Sequence, residues 1–389
     1  MKRLAIIVTH PIQYYAPLFR VMTERNKIAL KIFYSWGEAS IKKHDPGFDR
    51  QVQWDIPLLE GYDYEWLCNI SPDPGTHHFK GIINPNIIER VSKYSPDAVL
   101  VFGWAWHSHL QALRHFHNKI PVYFRGDSTL LDEPRGLKKL AKYAFLKWVY
   151  HLISHAFYVG TNNKAYLKKY GLKEQQLTFA PHAIDNERFS LIQTAKACEL
   201  REHLNLSDED ILILFAGKFE EKKSPLLLLN AFLTLQRRDV HLLFTGNGEL
   251  EMKMKLIARD NKRVHFIDFQ NQSFMPVIYQ ASDIFCLPSK GPGETWGLAV
   301  NEAMACGKPV LLSDKVGCAP DLVKDGVNGY VFRSEDGVDL INKLKLLTAS
   351  KRELRTLGTH SANMIKDWNF TSIADAIEKR LNNEKKRSY

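Results

Sequence analysis

Residues 283–313 read DIFCLPSKGPGETWGLAVNEAMACGKPVLLS and predict a strand, a loop, a helix and a second strand. The run Ile284–Leu287 is short and apolar throughout, which is typical of a parallel strand buried on both faces. Good helix formers fill 296–305, and Gly307 can end that helix before the next apolar run at 309–312. The stretch is therefore predicted to be one strand–helix–strand unit of a parallel sheet.

Similar apolar runs alternate with helix-forming segments along the whole chain. The predicted strands are 4–8, 29–34, 98–102, 122–124 and 155–159 in the first half, and 211–216, 241–245, 264–267, 284–287 and 309–312 in the second. This pattern predicts an α/β protein of two Rossmann-like, doubly wound domains that face each other across a cleft. We expect an acceptor-binding domain over 1–195, a second domain over 196–367, and a helix at about 368–389 that packs back on the first domain. The last residues, 382–389, are expected to be a frayed basic tail.

Net charge, cysteine spacing and the length of the apolar runs indicate which classes of protein the chain can belong to. The chain has 389 residues and a net charge of +10, which favours an anionic partner such as nucleotide phosphates, nucleic acid or an acidic membrane surface. The five cysteines form no close CxxC pair, so we expect neither a disulfide framework nor a zinc site, and a cytoplasmic location. The apolar run at 4–8 is too short for a signal peptide, and no run approaches the roughly 20 residues that span a bilayer. No nucleic-acid-binding motif is present, so nucleic acid is not an expected partner.

Two glutamates stand out in the opening segment. Glu294 lies on the loop before the predicted helix, and Glu302 is expected two turns along the helix. A carboxylate on the loop could accept hydrogen bonds from sugar hydroxyls, and one on the helix could accept two from a ribose diol. Backbone amides at the start of the helix could hold a phosphate. The alternative is that both glutamates only solvate and cap a surface helix.

The segment resembles the E-x7-E signature of glycosyltransferase family 4 (GT4), whose members are retaining enzymes with the GT-B fold. The matching residues are Pro288, Ser289, Glu294, Gly297, Glu302, Ala303 and 307–310. The resemblance implies a GT-B fold and a nucleoside-diphosphate sugar as donor. It also implies that Glu294 binds the donor sugar, that Glu302 binds the ribose, and that Gly297 and Leu298 line the same site.

A second match follows the predicted strand 211–216. Gly217 permits a close turn, and Lys218 and Lys223 place positive charge where a diphosphate leaving group requires it. Taken alone, this basic run could also be a solvated loop. It is similar to GT4 enzymes, which carry Arg or Lys after this glycine and a Lys about five residues later. Lys218 keeps the charge of the commoner Arg without its bidentate geometry. The resemblance therefore implies that lysines take the place of a metal ion, and that no metal or cofactor is needed.

Three further segments fit the resemblance. The turn that begins at Gly246 is similar to the family's GxG turn, and Phe269 and Gln270 lie where the family binds the base with backbone groups. A purely structural turn is the alternative for Gly246. The stretch 181–185 matches the family's PNGxD, with His182 in the place of Asn.

The first half offers weaker candidates for the acceptor and the reacting sugar. Many GT4 members carry a histidine after the strand that corresponds to 122–124, and here Asp127 is the natural replacement. Loops that pack on themselves, and tryptophans that belong to the core, are equally compatible with this pattern. The candidate acceptor contacts are His10, Gln13, Tyr14, Trp104, His107 and Arg125, the last as an orienting or anion-binding group.

Residues 137–153 predict an amphipathic helix. Its apolar stripe contains Leu137, Leu140, Ala141, Ala144, Phe145, Trp148, Val149 and Leu152, with lysines off the stripe. The stripe could pack on its own domain, or it could bind an anionic leaflet, as in several GT4 enzymes with lipid-linked acceptors.

The resemblance thus implies a hexosyl-type glycosyltransferase in surface polysaccharide, lipopolysaccharide or glycolipid synthesis. It would transfer sugar from a nucleoside-diphosphate sugar to a glycan or lipid-linked acceptor with retention, in the cytoplasm or peripherally on the inner face of the membrane. Lys218, Lys223, Glu294 and Asp127 are the candidate catalytic residues. Two alternatives stay open: a sugar-nucleotide epimerase on the same fold, and a non-catalytic sugar-nucleotide-binding protein.

Overall fold

The computed structural model describes residues 1–45, 50–131, 133, 136–259 and 261–384. The strands are β1 (Arg3–Val8), β2 (Ala29–Tyr34), β3 (Lys43–Asp45), β4 (Arg50–Val52), β5 (Tyr64–Trp66), β6 (Ala98–Phe102), β7 (Val122–Arg125), β8 (His155–Tyr158), β9 (Leu177–Phe179), β10 (Ile211–Ala216), β11 (Val240–Thr245), β12 (Val264–Ile267), β13 (Ile284–Leu287), β14 (Val310–Ser313) and β15 (Gly329–Phe332). The helices are α1 (Ala16–Glu24), α2 (Ile87–Lys93), α3 (His107–Phe116), α4 (Leu137–His151), α5 (Thr161–Lys169), α6 (Asn186–Ser190), α7 (Thr194–His203), α8 (Pro225–Thr234), α9 (Glu251–Ala258), α10 (Met275–Ala281), α11 (Leu298–Ala305), α12 (Ala319–Leu322), α13 (Gly337–Leu347), α14 (Lys351–Ile365) and α15 (Phe370–Asn382).

These elements form two compact units. The first contains Met1–Lys43, Ile56–His182 and the C-terminal segment from Phe370, and the second contains His44–Asp55 and Ala183–Asn369. The division after His182 precedes the sequence-based boundary at 195/196, because α6 packs on α10 and α11 of the second unit. Helix α15 packs on α1 and β9 of the first unit. The tail predicted at 382–389 lies outside the described residues from position 385 onward.

The first unit is built on a seven-stranded sheet with the order β5-β2-β1-β6-β7-β8-β9, in which every neighbouring pair is parallel. The central strands β1, β6 and β7 are buried along almost their whole length, because helices cover both faces of a doubly wound sheet. The strand order reverses between β1 and β6. In open parallel sheets such a switch point, at the carboxyl ends of the strands, is where ligands bind.

The second unit has a six-stranded sheet with the order β12-β11-β10-β13-β14-β15, again parallel throughout. Its core contains the buried faces of β10, β11 and β13 together with apolar residues of α8, α13 and α14. The switch point lies between β10 and β13. The loops that follow these two strands carry the predicted lysines and Glu294.

The prediction of doubly wound α/β units is confirmed. All ten predicted strands exist, each within one residue of its expected bounds at either end. Strands β3, β4, β5, β9 and β15 were not among the predicted strands. Strands β3 and β4 have three residues each and form a separate two-stranded sheet. Strands β5, β9 and β15 are short edge strands with partly exposed residues, so they lack the continuous apolar run that marks a buried parallel strand.

Candidate functional site

The loops after β10 and β13 meet at the switch point of the second unit. The Nζ atom of Lys223 lies 2.5 Å from Oε2 of Glu294. The backbone N–H of Lys290 donates to the carbonyl of Lys222 at 2.9 Å, and this bond joins the two loops directly. The strand order thus brings together a predicted lysine and a predicted glutamate that are 71 residues apart in sequence.

Glu294 is held in a defined position. Its side chain is only 11% exposed, and Oε2 also accepts a hydrogen bond from the hydroxyl of Ser289 at 2.9 Å. Its carbonyl accepts from the N–H of Gly317 at 3.0 Å. A mostly buried carboxylate with two donors on one oxygen keeps lone pairs on its other oxygen available for further donors.

The turn at Gly246 holds the neighbouring loop close to the loop that carries Lys218. Gly246 has φ +137°, and a Cβ atom there would lie 2.1 Å from the carbonyl oxygen of Gly217. Only glycine permits this approach. The N–H of Phe219 donates to the carbonyl of Asn247 at 2.9 Å. The half-buried Lys218 therefore lies between Gly217 and Phe219, which both contact the Gly246 turn.

Helix α11 begins at Leu298, directly after Gly297, whose φ is +96°. A Cβ atom at Gly297 would lie 2.9 Å from Cγ1 of Val316, so a side chain here would strain the start of the helix. Glu302 is the fifth residue of α11 and therefore lies about one turn along it, not two. The residue is 3% exposed, and Oε2 accepts a hydrogen bond from the hydroxyl of Tyr279 at 2.8 Å. Sequence reasoning missed Tyr279, because it lies on α10 and no local motif links it to Glu302.

The candidates for base binding lie after β12. The N–H of Phe269 donates to Oδ1 of Asn247 at 2.8 Å, so this backbone group already has a partner in the chain. Its ring lies 6.2 Å from that of Trp54. Gln270 is half-buried, and its amide donates to the carbonyl of Asp268 at 3.2 Å. Asn247 was not predicted as a site residue, although it lies inside the GxG turn and also donates to Asp268 at 3.2 Å.

In the first unit, the loop after β1 carries three of the acceptor candidates. Nδ1 of His10 lies 2.9 Å from the hydroxyl of Thr9, and its ring meets that of Trp36 edge-on at 5.1 Å. Gln13 and Tyr14 are half-buried on the same loop. These residues follow β1, at the switch point between β1 and β6, and their contacts with an acceptor stay a prediction.

The loop after β6 carries the other aromatic candidates. Trp104 is half-buried against the core of the first unit and meets Phe145 edge-on at 5.4 Å. His107 is the first residue of α3, and its ring lies 5.9 Å from that of Phe79. The packing of Trp104 favours the core alternative over a free sugar-stacking surface.

The loop after β7 contains a cluster of charged and titratable groups. Asp127 is 45% exposed, and its Oδ2 lies 3.8 Å from Nε2 of the buried His182. Burial lowers the pKa of His182, while Asp127 opposes this shift, so the imidazole is neutral at neutral pH. Burial, reinforced by Asp127, also raises the pKa of Tyr15 to about 12. Sequence reasoning noted His182 only as a replacement for Asn.

Arg125 was predicted to orient its neighbours or to bind an anionic group. It is 2% exposed, and its two terminal nitrogens donate to the carbonyls of Ala180 and Pro181 at 2.8 and 2.7 Å. These bonds fix the loop that carries His182. Arg125 is therefore a buried partner of that loop, and the geometry does not support a direct contact with an acceptor.

The apolar stripe predicted on α4 is also corrected. The buried positions are Leu146, Val149 and Tyr150, which follow a helical spacing of their own. The structure does not describe the side chains of residues 137 and 138. Most other members of the predicted stripe are exposed, namely Leu140, Ala141, Ala144, Phe145 and Trp148. The helix therefore has two apolar faces, and one of them lies on the surface of its unit.

This arrangement of loops, glycines and paired charges can be compared with known proteins. Residues 197–364 match the family model of glycosyl transferases group 1. The matched segment contains every lysine, glycine and glutamate predicted for the donor site.

The curated proteins that resemble the chain include enzymes that are named as glycosyltransferases. The chain is 26% identical over 222 residues to D-inositol 3-phosphate glycosyltransferase of Nocardia farcinica, which covers 54% of this chain and 48% of that protein. It is 27% identical over 197 residues to lipopolysaccharide 1,2-N-acetylglucosaminetransferase of Salmonella typhimurium, which covers 47% and 51% respectively. The chain spans about half the length of the curated relatives it matches.

Solved structures show the fold. The structure of Anabaena HepE in complex with UDP and glucose aligns with a TM-score of 0.72 at 16% identity, over 99% of this chain and 100% of that one. The prediction of two Rossmann-like units of the GT-B class is thereby confirmed. Among the described residues, no helix has both the length and the apolar character needed to cross a membrane.

Proposed function

We propose that the chain is a retaining, GT4-type glycosyltransferase that moves a hexosyl unit from a nucleoside-diphosphate sugar to a glycan or lipid-linked acceptor. The contact between Lys223 and Glu294 at the switch point of the second unit carries this proposal. A sugar diphosphate presents an anion directly beside a ring of hydroxyl groups. The ammonium group of Lys223 can pair with the diphosphate, and the adjacent carboxylate of Glu294 can accept hydrogen bonds from the sugar hydroxyls.

The proposed reaction uses groups of the chain alone. The bond between the anomeric carbon of the donor and the diphosphate oxygen breaks, and the acceptor hydroxyl oxygen bonds to that carbon from the same face. The acceptor's proton passes to the departing diphosphate. Lys218, Lys223 and the N-terminus of α11 stabilise the negative charge that develops on the diphosphate, so no metal ion is required.

The carboxylates have separate roles in this proposal. Glu294 binds hydroxyls of the donor sugar through its less occupied oxygen, and Glu302, oriented by Tyr279, binds the edge of the ribose. Asp127 is the candidate polar partner of the reacting sugar among the residues of the first unit, and His182 acts on Asp127 only as a positioning residue.

The acceptor is proposed from the relatives. One relative is named D-inositol 3-phosphate glycosyltransferase, and another is named lipopolysaccharide 1,2-N-acetylglucosaminetransferase. Both fit a cytoplasmic enzyme of surface polysaccharide, lipopolysaccharide or glycolipid synthesis.

A panel of UDP-, GDP- and ADP-sugars in a thermal-shift assay tests the donor, since a ligand that binds the folded state stabilises it. The stabilising donor is then incubated, with and without EDTA, with lipid and glycan acceptor fractions. Free nucleoside diphosphate together with a product of unchanged anomeric configuration supports the proposal. An isomerised sugar nucleotide without free diphosphate identifies an epimerase, and binding without turnover identifies a non-catalytic protein.

The exposed face of α4 supports a peripheral membrane position. Leu140 is 68% exposed, Phe145 is 41% exposed and Trp148 is 42% exposed, and the exposed Lys139 and Lys147 lie on the same helix. Apolar side chains with flanking lysines bind the boundary of an anionic leaflet. Co-sedimentation with vesicles that contain phosphatidylglycerol tests this: Leu140→Glu should reduce binding, while equal binding of the variant and the wild type would contradict it.

A further inference from the structure

The loop between β5 and α2 carries a cluster of metal-binding side chains. Asp73, His77 and His78 each offer one donor atom, and these three atoms lie within 4.8 Å of one another. Nε2 of His77 lies 3.0 Å from Oδ2 of Asp73. Nε2 of His78 lies 3.4 Å from the same oxygen and 3.0 Å from the backbone carbonyl oxygen of Asp73. Two imidazoles therefore converge on one carboxylate oxygen.

These spacings fit a bound ion. A tetrahedral zinc centre with ligand bonds of about 2.0–2.1 Å has donor atoms about 3.3 Å apart. The two measured separations, 3.0 and 3.4 Å, lie on either side of that value. Two nitrogens and one carboxylate oxygen suit zinc and neighbouring transition metals better than magnesium or calcium.

The loop is organised in advance of binding. Asp73 lies between Pro72 and Pro74, which restrict its backbone. The N–H of Gly75 donates to the carbonyl of Gly81 at 3.0 Å and closes the loop. The indole N–H of Trp106 donates to the carbonyl of Thr76 at 3.3 Å. Rigid support of this kind lowers the entropy lost when ligands assemble around an ion.

The three side chains are accessible, with 70%, 61% and 37% of Asp73, His77 and His78 exposed. We propose that Asp73, His77 and His78 form a binding site for a divalent transition metal, with Zn²⁺ as the best fit. Three ligands from the chain leave a fourth position open to water or an anion. The ion would stiffen the loop that supports Trp106, at the carboxyl end of β6, and it takes no part in the proposed transfer reaction.

The test uses the full chain without an affinity tag, stripped of metal with EDTA. Cys68 and Cys198 are exposed thiols, so they are first replaced by serine. Zn²⁺ binding is measured by isothermal titration calorimetry at pH 7.5, and Co²⁺ binding by visible absorption. Asp73→Asn, His77→Ala and His78→Ala are compared with His203→Ala, which alters an exposed histidine at the end of α7.

We expect one equivalent of Zn²⁺ in the parent and in the His203→Ala control. Each of the other three variants should bind at least about tenfold more weakly, since even the loss of an outer-shell partner costs 10–100-fold. The absence of saturable binding in the parent, or unchanged affinity in His77→Ala and His78→Ala, would overturn the proposal.

Discussion

Replacing Lys223 by methionine tests the role of the cation at the donor site. Methionine keeps most of the length of the side chain and removes its charge. Glu294 is mostly buried and retains its hydrogen bond from Ser289, so the fold should lose about 1.5–3 kcal/mol and still form. The chemical step should also become slower, because the charge that develops on the diphosphate loses a fixed cation.

The magnitude follows from the local contacts. Removing one preorganised donor to a developing anion typically costs about 2.7–4 kcal/mol, a factor of 10²–10³ in kcat. The ammonium of Lys223 already touches Glu294 at 2.5 Å, which neutralises part of its field. We therefore expect the lower end of this range, a loss of about 10²-fold.

The assay is the initial rate of nucleoside diphosphate release with the donor and acceptor selected above. Lys222→Met is the matched control, because Lys222 is the neighbouring residue, is 46% exposed and pairs with Glu220 instead. The control should keep the wild-type rate. A folded Lys223→Met enzyme that stays within threefold of the wild type, or an equal loss of activity in both variants, would refute a role of the Lys223 charge in the transfer step.

Three further predictions concern stability. Tyr279→Phe removes the hydroxyl donor to the buried Glu302 and should lower the free energy of unfolding, measured by urea titration, by about 1.5–3 kcal/mol. An unchanged free energy of unfolding would contradict this. Gly246→Ala should cost at least about 2 kcal/mol more than Gly293→Ala, since both positions have positive φ but only the former meets backbone within 4 Å; equal costs would contradict this. Burial lowers the pKa of His109 to about 4, so folding loses about 3 kcal/mol as the pH falls from about 6.5 to 4. His109→Gln should flatten the pH dependence of the unfolding free energy by that amount, whereas parallel curves for variant and wild type would refute it.

The sign of the His109 prediction follows from its surroundings. Nδ1 lies 3.1 Å from the carbonyl of Phe102 and 3.0 Å from that of Gly103, so it carries the proton. Nε2 lies 2.8 Å from the hydroxyl of Ser35 and accepts from it. Both ring nitrogens of the neutral imidazole thus have hydrogen-bond partners. His109 therefore binds a second ring proton more readily in the unfolded chain than in the folded one.

Much of the fold could be predicted because buried parallel strands are continuous apolar runs. The edge strands β5, β9 and β15 could not, since partial exposure allows polar residues among the apolar ones. Helix α4 was misjudged for a related reason. Apolar residues lie on both of its faces, and periodicity cannot tell which face packs on the sheet.

The donor site was predictable where its residues follow one another in the chain. Glu294 and Lys223 were each recognised on their own loop, but their contact depends on β10 lying beside β13. The contact of Tyr279 with Glu302, and that of His182 with Asp127, likewise depend on packing between distant segments. The partners of Arg125 could not be predicted either, because the sequence does not show that two nitrogens of its guanidinium donate to buried carbonyls.

Isothermal titration calorimetry of the donor sugar nucleotide directly tests whether the second unit binds a nucleoside-diphosphate sugar. The wild type and Glu302→Gln are compared with Glu353→Gln, which alters an exposed residue. We expect one saturable site in the wild type and the control, and at least about tenfold weaker binding when the carboxylate of Glu302 becomes an amide, which equals about 1.4 kcal/mol. Undiminished affinity in Glu302→Gln, or no binding of any UDP-, GDP- or ADP-sugar to the wild type, would contradict this expectation.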